Sequence, residues 1–349
     1  MRNNRAWRRL LTVAVTAAVA LSAVGCGSKA SGNTKKDGKI TITNVSYDPT
    51  RELYAAYNKE FTKYYKGKTG KDVDVVMSHG GSGGQARSVV EGADADVVTL
   101  ALAHDITLVE QAGLINKGWL KEFDLDSSPY TSTIVFLVRK GNPKKIKDWD
   151  DLTKKGVDVI TPDPKSSGGA CWNFLAAWNY ADKKFGGDES KIKEFEHALY
   201  SNVSVMDSGA RGATTTFVEN GQGDVLIAWE NEALATLKEY PEDYELVTPS
   251  VSILAQPSVA IVDANADKNG TQKVAKDYLE YLYTDKAQEL IGEYGYRPSN
   301  QTILKKFADK FDLNVNLCTI DDFGGWSAAH AKHFAADGIY DHLPRKRNP

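Results

Sequence analysis

The chain has 349 residues, a formal net charge of −3, 42% hydrophobic and 26% charged residues, a balance that excludes a disordered polymer, a collagen-like rod and a multi-span membrane protein. With only 3 cysteines it is no disulfide-stapled mini-domain, and its length exceeds what one core comfortably serves, so two lobes are expected. Loss of Arg2, Arg5, Arg8 and Arg9 would take the charge to −7, the wrong sign for a bulk nucleic-acid binder.

Those four arginines precede an uncharged run over residues 10–24, rich in Ala, Val and Leu, that ends at the small pair Val24-Gly25 before Cys26. The pattern is that of a secretory signal peptide over residues 1–25, too short to be read as a membrane span. A cleavage site ending in Cys resembles a bacterial lipobox, with Ala23 where such sites usually carry Leu, so Cys26 is the expected lipidation site. Arg8-Arg9 sits in surroundings that match a twin-arginine signal poorly, which favours Sec export. Residues 26–38 are Gly, Ser, Asn, Lys and their like and read as a tether.

From Lys39 onward short apolar runs alternate with longer amphipathic ones, an α/β pattern. Ile40, Ile42 and Val45 alternate as a strand, and Leu53, Tyr57 and Phe61 recur at helical spacing. Val73 and Val75 alternate before Gly80, Val89 and Val90 follow on a helix, and residues 95–102 read as a buried strand. Residues 134–138, 157–160, 203–206 and 225–229 read as further strands, each followed by a turn and a helix. Repeated βα units imply parallel sheets, which bind ligands beyond the carboxyl ends of their strands.

Four of these junctions are alike: Ser46-Tyr47-Asp48-Pro49, His79-Gly80-Gly81-Ser82-Gly83-Gly84, Lys165-Ser166-Ser167-Gly168-Gly169 and Asp207-Ser208-Gly209-Ala210-Arg211-Gly212. All are rich in small residues and free backbone donors. The first N–H groups of a helix lack partners and carry the positive end of its dipole, so an anion can sit there without a lysine. At the first junction Asp48 is expected to cap the helix, with Pro49 at its first position. Taken singly, each junction is also an ordinary tight turn. Two facing Gly/Ser-rich turns, however, suggest two halves of one anion site. Trp229 ends an apolar strand facing that crevice and offers an indole N–H that can only donate, although a core tryptophan would occupy the same position.

These residues resemble the sulfate-binding proteins of sulfate/thiosulfate ABC importers from about residue 40 to about residue 342. The resemblance is carried by Asn44-Val45-Ser46-Tyr47-Asp48-Pro49-Thr50-Arg51-Glu52, Gly81-Ser82-Gly83-Gly84-Gln85-Ala86-Arg87 and Ala95-Asp96-Val97-Val98-Thr99-Leu100-Ala101. Ser167-Gly168-Gly169, Arg211-Gly212-Ala213-Thr214, Gly223-Asp224-Val225-Leu226-Ile227, Tyr296-Arg297-Pro298, and Phe323-Gly324-Gly325-Trp326 followed by His333-Phe334 add to it. Ala336-Asp337-Gly338 departs where the family more often has an extra glycine.

The resemblance implies a two-lobe, hinged periplasmic-binding-protein fold of type II, each lobe a βα sandwich, with the ligand in the cleft. One lobe would comprise residues 39–124 and 248–349, the other residues 125–247. It implies a non-catalytic, cofactor-free monomer that closes on sulfate, or on thiosulfate, and delivers it to an ABC permease at the extracytoplasmic face of the membrane, tethered through Cys26. The implied sulfate contacts are the backbone N–H groups of Asp48, Ser82, Gly168, Gly169 and Ala210, the hydroxyl of Ser167 and the indole of Trp229. A donor-only cage suits a fully deprotonated dianion and leaves the proton of hydrogenphosphate without an acceptor. Thiosulfate, molybdate and tungstate remain open alternatives.

A secreted hydrolase is the rival reading, because Gly80-Gly81-Ser82-Gly83-Gly84 satisfies G-x-S-x-G and His330 or His333 could serve as base. The six histidines lack metal-ligand spacing. Cys171 and Cys318 could pair in an oxidising compartment, but their sequence positions do not show that they meet.

Overall fold

The period-2 and helical-period runs become alternating strands and helices in the computed structural model, which describes residues 39–344. The expected signal peptide, lipidation site Cys26 and tether lie outside the described residues. The order begins β1 (Ile40–Tyr47), α1 (Arg51–Thr69), β2 (Val73–Gly80), α2 (Ser82–Val90), β3 (Val97–Leu100) and α3 (Ala103–Gln111). A one-turn α4 (Asp124–Ser127), β4 (Tyr130–Thr131), β5 (Ile134–Arg139), α5 (Trp149–Leu152), β6 (Val159–Pro162), α6 (Gly168–Phe185) and α7 (Glu189–Ser201) follow. Next come β7 (Val203–Asp207), α8 (Ala210–Val218), β8 (Val225–Trp229), α9 (Glu230–Glu239), β9 (Tyr244–Val247), β10 (Val251–Ile253) and β11 (Ser258–Ile261). The chain ends through α10 (Asp263–Asn269), α11 (Gln272–Tyr281), α12 (Asp285–Glu293), β12 (Arg297–Pro298), α13 (Gln301–Leu304), β13 (Asn316–Cys318) and α14 (Gly325–His333).

Two sheets organise two lobes. The first has the order β11-β3-β1-β2, the second β7-β6-β8-β5-β9. Each is covered on both faces, so its central strands are largely buried, with Asn44, Ser46 and Thr99 as buried polar residues in β1 and β3. In β8, Val225, Ile227 and Trp229 enter one core, while Leu226 and Ala228 enter another with Ala213 and Phe217 of α8. In the first sheet Val45, Val98 and Leu100 pack with Ala86 and Val89 of α2 and Ile106 and Val109 of α3. The strand period of two thus sends alternate side chains to opposite layers.

The sheets are mixed, contrary to the all-parallel expectation. β1 pairs in parallel with β2 and β3, and β6 with β7 and β8. β11 is antiparallel to β3, and β5 is antiparallel to both β8 and β9. The antiparallel strands are those by which the chain enters the second sheet and leaves it for the first. No crossover helix precedes them, so parallel addition is not enforced. Segments outside the two sheets also pair: Arg297 lies opposite Thr131, Pro298 opposite Tyr130, and Ser132 bridges Ala255. A buried bidentate ion pair ties this region to α9, with Arg297 donating to Glu230 at 2.6 and 2.8 Å. Two parallel N–H···O bonds offset much of the cost of desolvating both charges.

Candidate functional site

The similar junctions converge. β1 leads through a 3₁₀ turn (Asp48–Thr50) into α1, β2 into α2, β6 through residues 163–167 into α6, and β7 into α8. Hypothetical Cβ atoms on the glycines measure how closely the turns approach. On Gly81 a Cβ would lie 2.5 Å from the carbonyl oxygen of Ser166 and 2.7 Å from that of Ser208. On Gly168 it would lie 2.8 Å from Leu102 Cγ and 3.0 Å from Ser82 Cβ, and on Gly209 it would strike the Asp48 carboxylate. At Gly81 the obstructing atoms are backbone of the facing turns, so only glycine permits that approach.

The turns bring Asp48, Ser82, Ser167, Gly168, Gly169, Ala210 and Trp229 to one place. The N–H groups of Asp48, Ser82, Gly168, Gly169 and Ala210 donate to no loop or side-chain acceptor among the described residues. They stand in helical first turns, where no intrahelical acceptor exists. Ser167 is buried and N-caps α6, its Oγ accepting from Ala170 N–H at 3.4 Å. Its own hydroxyl hydrogen can therefore still donate. Trp229 is buried and caps α9. Its indole N–H donates to the Gly169 carbonyl at the long distance of 3.2 Å, and its ring tilts against Tyr47 with centroids 5.5 Å apart. The donor thus faces the α6 turn, as its place at the strand end suggests.

The expected cap at the first junction is shifted. Tyr47 occupies the N-cap and accepts nothing through its side chain, while Asp48 lies inside the first turn. The Asp48 carboxylate accepts from Arg51 at 3.1 Å through one oxygen and faces Gly209 of the opposite turn with the other. This leaves the Asp48 N–H free rather than its side chain capping.

Nearby cations are engaged elsewhere. Arg211, immediately after Ala210, donates to both oxygens of Glu52 across the cleft at 2.9 and 2.8 Å and to Glu232 of its own lobe at 3.1 and 3.0 Å. The Arg211 hydrogen bond holds Glu52 below the usual carboxylate range, whereas burial pushes Glu232 above it. Lys165 pairs with Asp341 at 2.8 Å and donates to the carbonyl of Phe334. Trp172 closes a further cross-cleft contact, its indole donating to the Ala101 carbonyl at 3.0 Å. Sequence reasoning missed Gly81, Gly209, Arg211 and Asp105 as parts of this site, although the first three lie inside the motifs it quoted.

A larger groove of about 650 Å³ opens beside Arg211, between Glu52, Glu219, Glu239 and Glu293. Its five carboxylates, Glu232 included, outnumber the three cations Arg211, Lys238 and Lys310, and none of the seven cage residues lines it.

The geometry around Ser82 is not that of a hydrolase nucleophile. Its Oγ donates to Asp105 at 2.5 Å and accepts from Ala101 N–H at 3.0 Å, and no histidine bonds it among the described residues. His330 stacks on His104 at 3.8 Å between centroids, and His333 is enclosed by Phe174, Trp178 and Phe334. No group of three or more metal-ligating side chains occurs among the described residues. Cys171 and Cys318 are buried free thiols.

A mixed two-lobe α/β frame with a donor-lined cleft defines a class, the binding proteins that enclose a small solute between lobes. Residues 42–297 match the family model for bacterial extracellular solute-binding proteins. The chain is 55% identical over 309 residues to the sulfate-binding protein of Escherichia coli K12, covering 88% of this chain and 94% of that one. It is 45% identical over 305 residues to the thiosulfate-binding protein of Pseudomonas aeruginosa, covering 86% and 91%. Among solved structures, the sulfate-binding protein SubI of Mycobacterium tuberculosis superposes with a TM-score of 0.77 at 34% identity over 84% of this chain and 99% of that one. The chain belongs to the bacterial extracellular solute-binding protein family.

Proposed function

We propose that this protein is a non-catalytic, monomeric extracytoplasmic receptor that closes on sulfate and delivers it to the permease of an ABC importer. The observation that carries the reading is the convergence of five unengaged backbone N–H groups, the Ser167 hydroxyl and the Trp229 indole on one cleft. Such a set contains donors only. Sulfate at neutral pH offers acceptors only, whereas hydrogenphosphate brings a proton that finds no partner, at a cost of about 1–3 kcal/mol. Helix N-termini supply the compensating field in place of a lysine, through charge-assisted bonds roughly twice as strong as neutral ones.

In this reading residues 39–124 with 248–349 form one lobe and supply Asp48 and Ser82. Residues 125–247 form the other and supply Ser167, Gly168, Gly169, Ala210 and Trp229. The two segments by which the chain crosses between lobes, which pair at Ser132 and Ala255, are the hinge in this reading. Ligand selects the closed form because only that form engages both donor sets. A lipid on Cys26, after removal of residues 1–25, would hold the receptor at the membrane with residues 26–38 as tether. Thiosulfate is the second substrate favoured, because it is a tetrahedral dianion without a proton and a 45% identical relative is named for it. Calorimetric titration at neutral pH with sulfate, thiosulfate, molybdate and phosphate tests the proposal. Sulfate should bind and phosphate should not, and preference for phosphate would overturn it.

A further inference from the structure

The groove beside Arg211 is a second recess, apart from the anion cage. Its volume of about 650 Å³ lies in the range of small-molecule sites. It is lined from α1, α8, α9 and the end of α12. Leu53, Val218 and Leu234 give it an apolar stretch that suits methylene groups. Tyr240 and Tyr294 contribute aromatic rings, whose faces attract cations. Among the described residues Glu219, Glu239 and Glu293 enter no ion pair, whereas Glu52 and Glu232 are held by Arg211. Lys310 donates to the carbonyls of Gly292 and Glu293, and Lys238 is exposed at the end of α9.

An independent sign of a ligand is Asn231. It lines the groove and is 3% exposed, yet its side-chain amide makes no hydrogen bond, and its Oδ1 is enclosed without a partner. Buried amides in folded proteins are almost always paired, so an orphaned one on the wall of a recess marks where a polar atom of an occupant is received. An acceptor oxygen there calls for a donor, as do the three carboxylates.

We propose that this groove binds a linear aliphatic polyamine, whose ammonium groups are taken by Asn231 Oδ1, Glu219, Glu239 and Glu293 and whose methylene chain lies along Leu53, Val218 and Leu234. Other ligand classes fit less well. A bare divalent cation wants several oxygens at one point, and no group of three or more metal-ligating side chains occurs among the described residues. An anion or a zwitterion would bring a carboxylate against an excess of glutamates. The site itself does not depend on the sulfate-receptor reading, but its link to closure does. That reading puts Glu52, Leu53 and Glu293 on one lobe and Glu219, Asn231 and Glu239 on the other. An occupant touching both sides favours the closed arrangement, so polyamine and sulfate raise each other's affinity by the same factor.

The test is titration calorimetry of the full chain with spermidine at neutral pH and fixed ionic strength, with and without saturating sodium sulfate. Spermidine should bind at a single site, and sulfate should tighten it by about three- to tenfold. Asn231→Leu replaces an unpartnered buried amide by an apolar side chain of similar size, so sulfate affinity should hold while spermidine weakens by about tenfold or more. Glu219 and Glu293 are exposed, so the double variant Glu219→Gln with Glu293→Gln should fold regardless and should also lose spermidine. Absence of spermidine binding, binding that survives in both variants, or displacement by an equal charge of magnesium chloride overturns the inference. So does an affinity that sulfate leaves unchanged, or binding of an arginine-rich peptide in place of the free amine. Should sulfate itself not bind, the receptor reading falls, and the titration of spermidine against Asn231→Leu still decides the groove.

Discussion

Substituting Gly81 by alanine separates closure from folding. The residue sits at the N-cap of α2 with φ −59 and ψ 132, a conformation that alanine adopts without strain. Its added methyl would point at the opposite lobe, 2.5 Å from the Ser166 carbonyl oxygen and 2.7 Å from the Ser208 one. These distances fall about 0.9 and 0.7 Å inside the 3.4 Å where ordinary contact begins. Both obstructing atoms are backbone, so neither can swing aside, and forcing such a methyl into a packed contact costs about 1–3 kcal/mol. With two contacts violated, about 2–3 kcal/mol should be lost from sulfate binding, or roughly 30- to 150-fold in Kd. Without ligand the open form has no such contact, and the unfolded chain loses freedom, so the melting temperature should stay level or rise slightly. Gly209→Ala should cost less, because its methyl meets the Asp48 side chain, which can turn away from Arg51. Calorimetry with sulfate and thermal unfolding without it measure the two quantities. Wild-type affinity in Gly81→Ala, or a melting temperature several degrees lower without sulfate, would refute the assignment of this contact to closure.

Ser167→Ala should weaken sulfate by about 1–2 kcal/mol through the lost hydroxyl, and lower stability by about 0.5–2 kcal/mol because Ser167 also caps α6; equal loss in both assays would leave it only the cap role. Trp229→Phe keeps an aromatic ring against Tyr47 but removes the donor, so affinity should fall by about 1–3 kcal/mol with the ligand-free melting curve little changed. Glu52→Ala leaves Arg211 paired with Glu232 and removes a partly exposed ion pair, so Kd should rise by no more than about fivefold, chiefly through faster release in stopped flow. His333 is 1% exposed and pushed down to about 3, first by burial and then by Lys332. Its native form binds fewer protons than the unfolded chain below pH 6.5, so as much as about 4 kcal/mol of stability should drain away between pH 6.5 and 3. Denaturant midpoints of His333→Phe should show a shallower acid loss.

Much of this architecture was legible because its signals are local. β8 matches the reading at both ends, since the run 225–229 is apolar on both faces and is bounded by Asp224 and Glu230. The small-residue turns announced four helix N-termini, and the motif resemblance pointed to the residues that meet there. Strand direction was not legible. Residues 134–138 look the same in a parallel or an antiparallel neighbour, and only the crossover between lobes decides. The cap at Asp48 was misplaced by one residue because an acidic side chain before proline also fits inside a first turn. Asp105 gave no distinctive sign, as an acid near a helix start is ordinary. Its importance comes from Ser82, 23 positions away, and from burial that no local pattern encodes.

The most direct measurement is a crystal structure of the protein grown with sulfate. The account predicts one anion between the lobes, accepting from the N–H groups of Asp48, Ser82, Gly168, Gly169 and Ala210, from Ser167 Oγ and from Trp229 Nε1, with Arg211 still clasping Glu52. A sulfate held instead by a lysine, an arginine or a metal ion, or found outside this cleft, would contradict it.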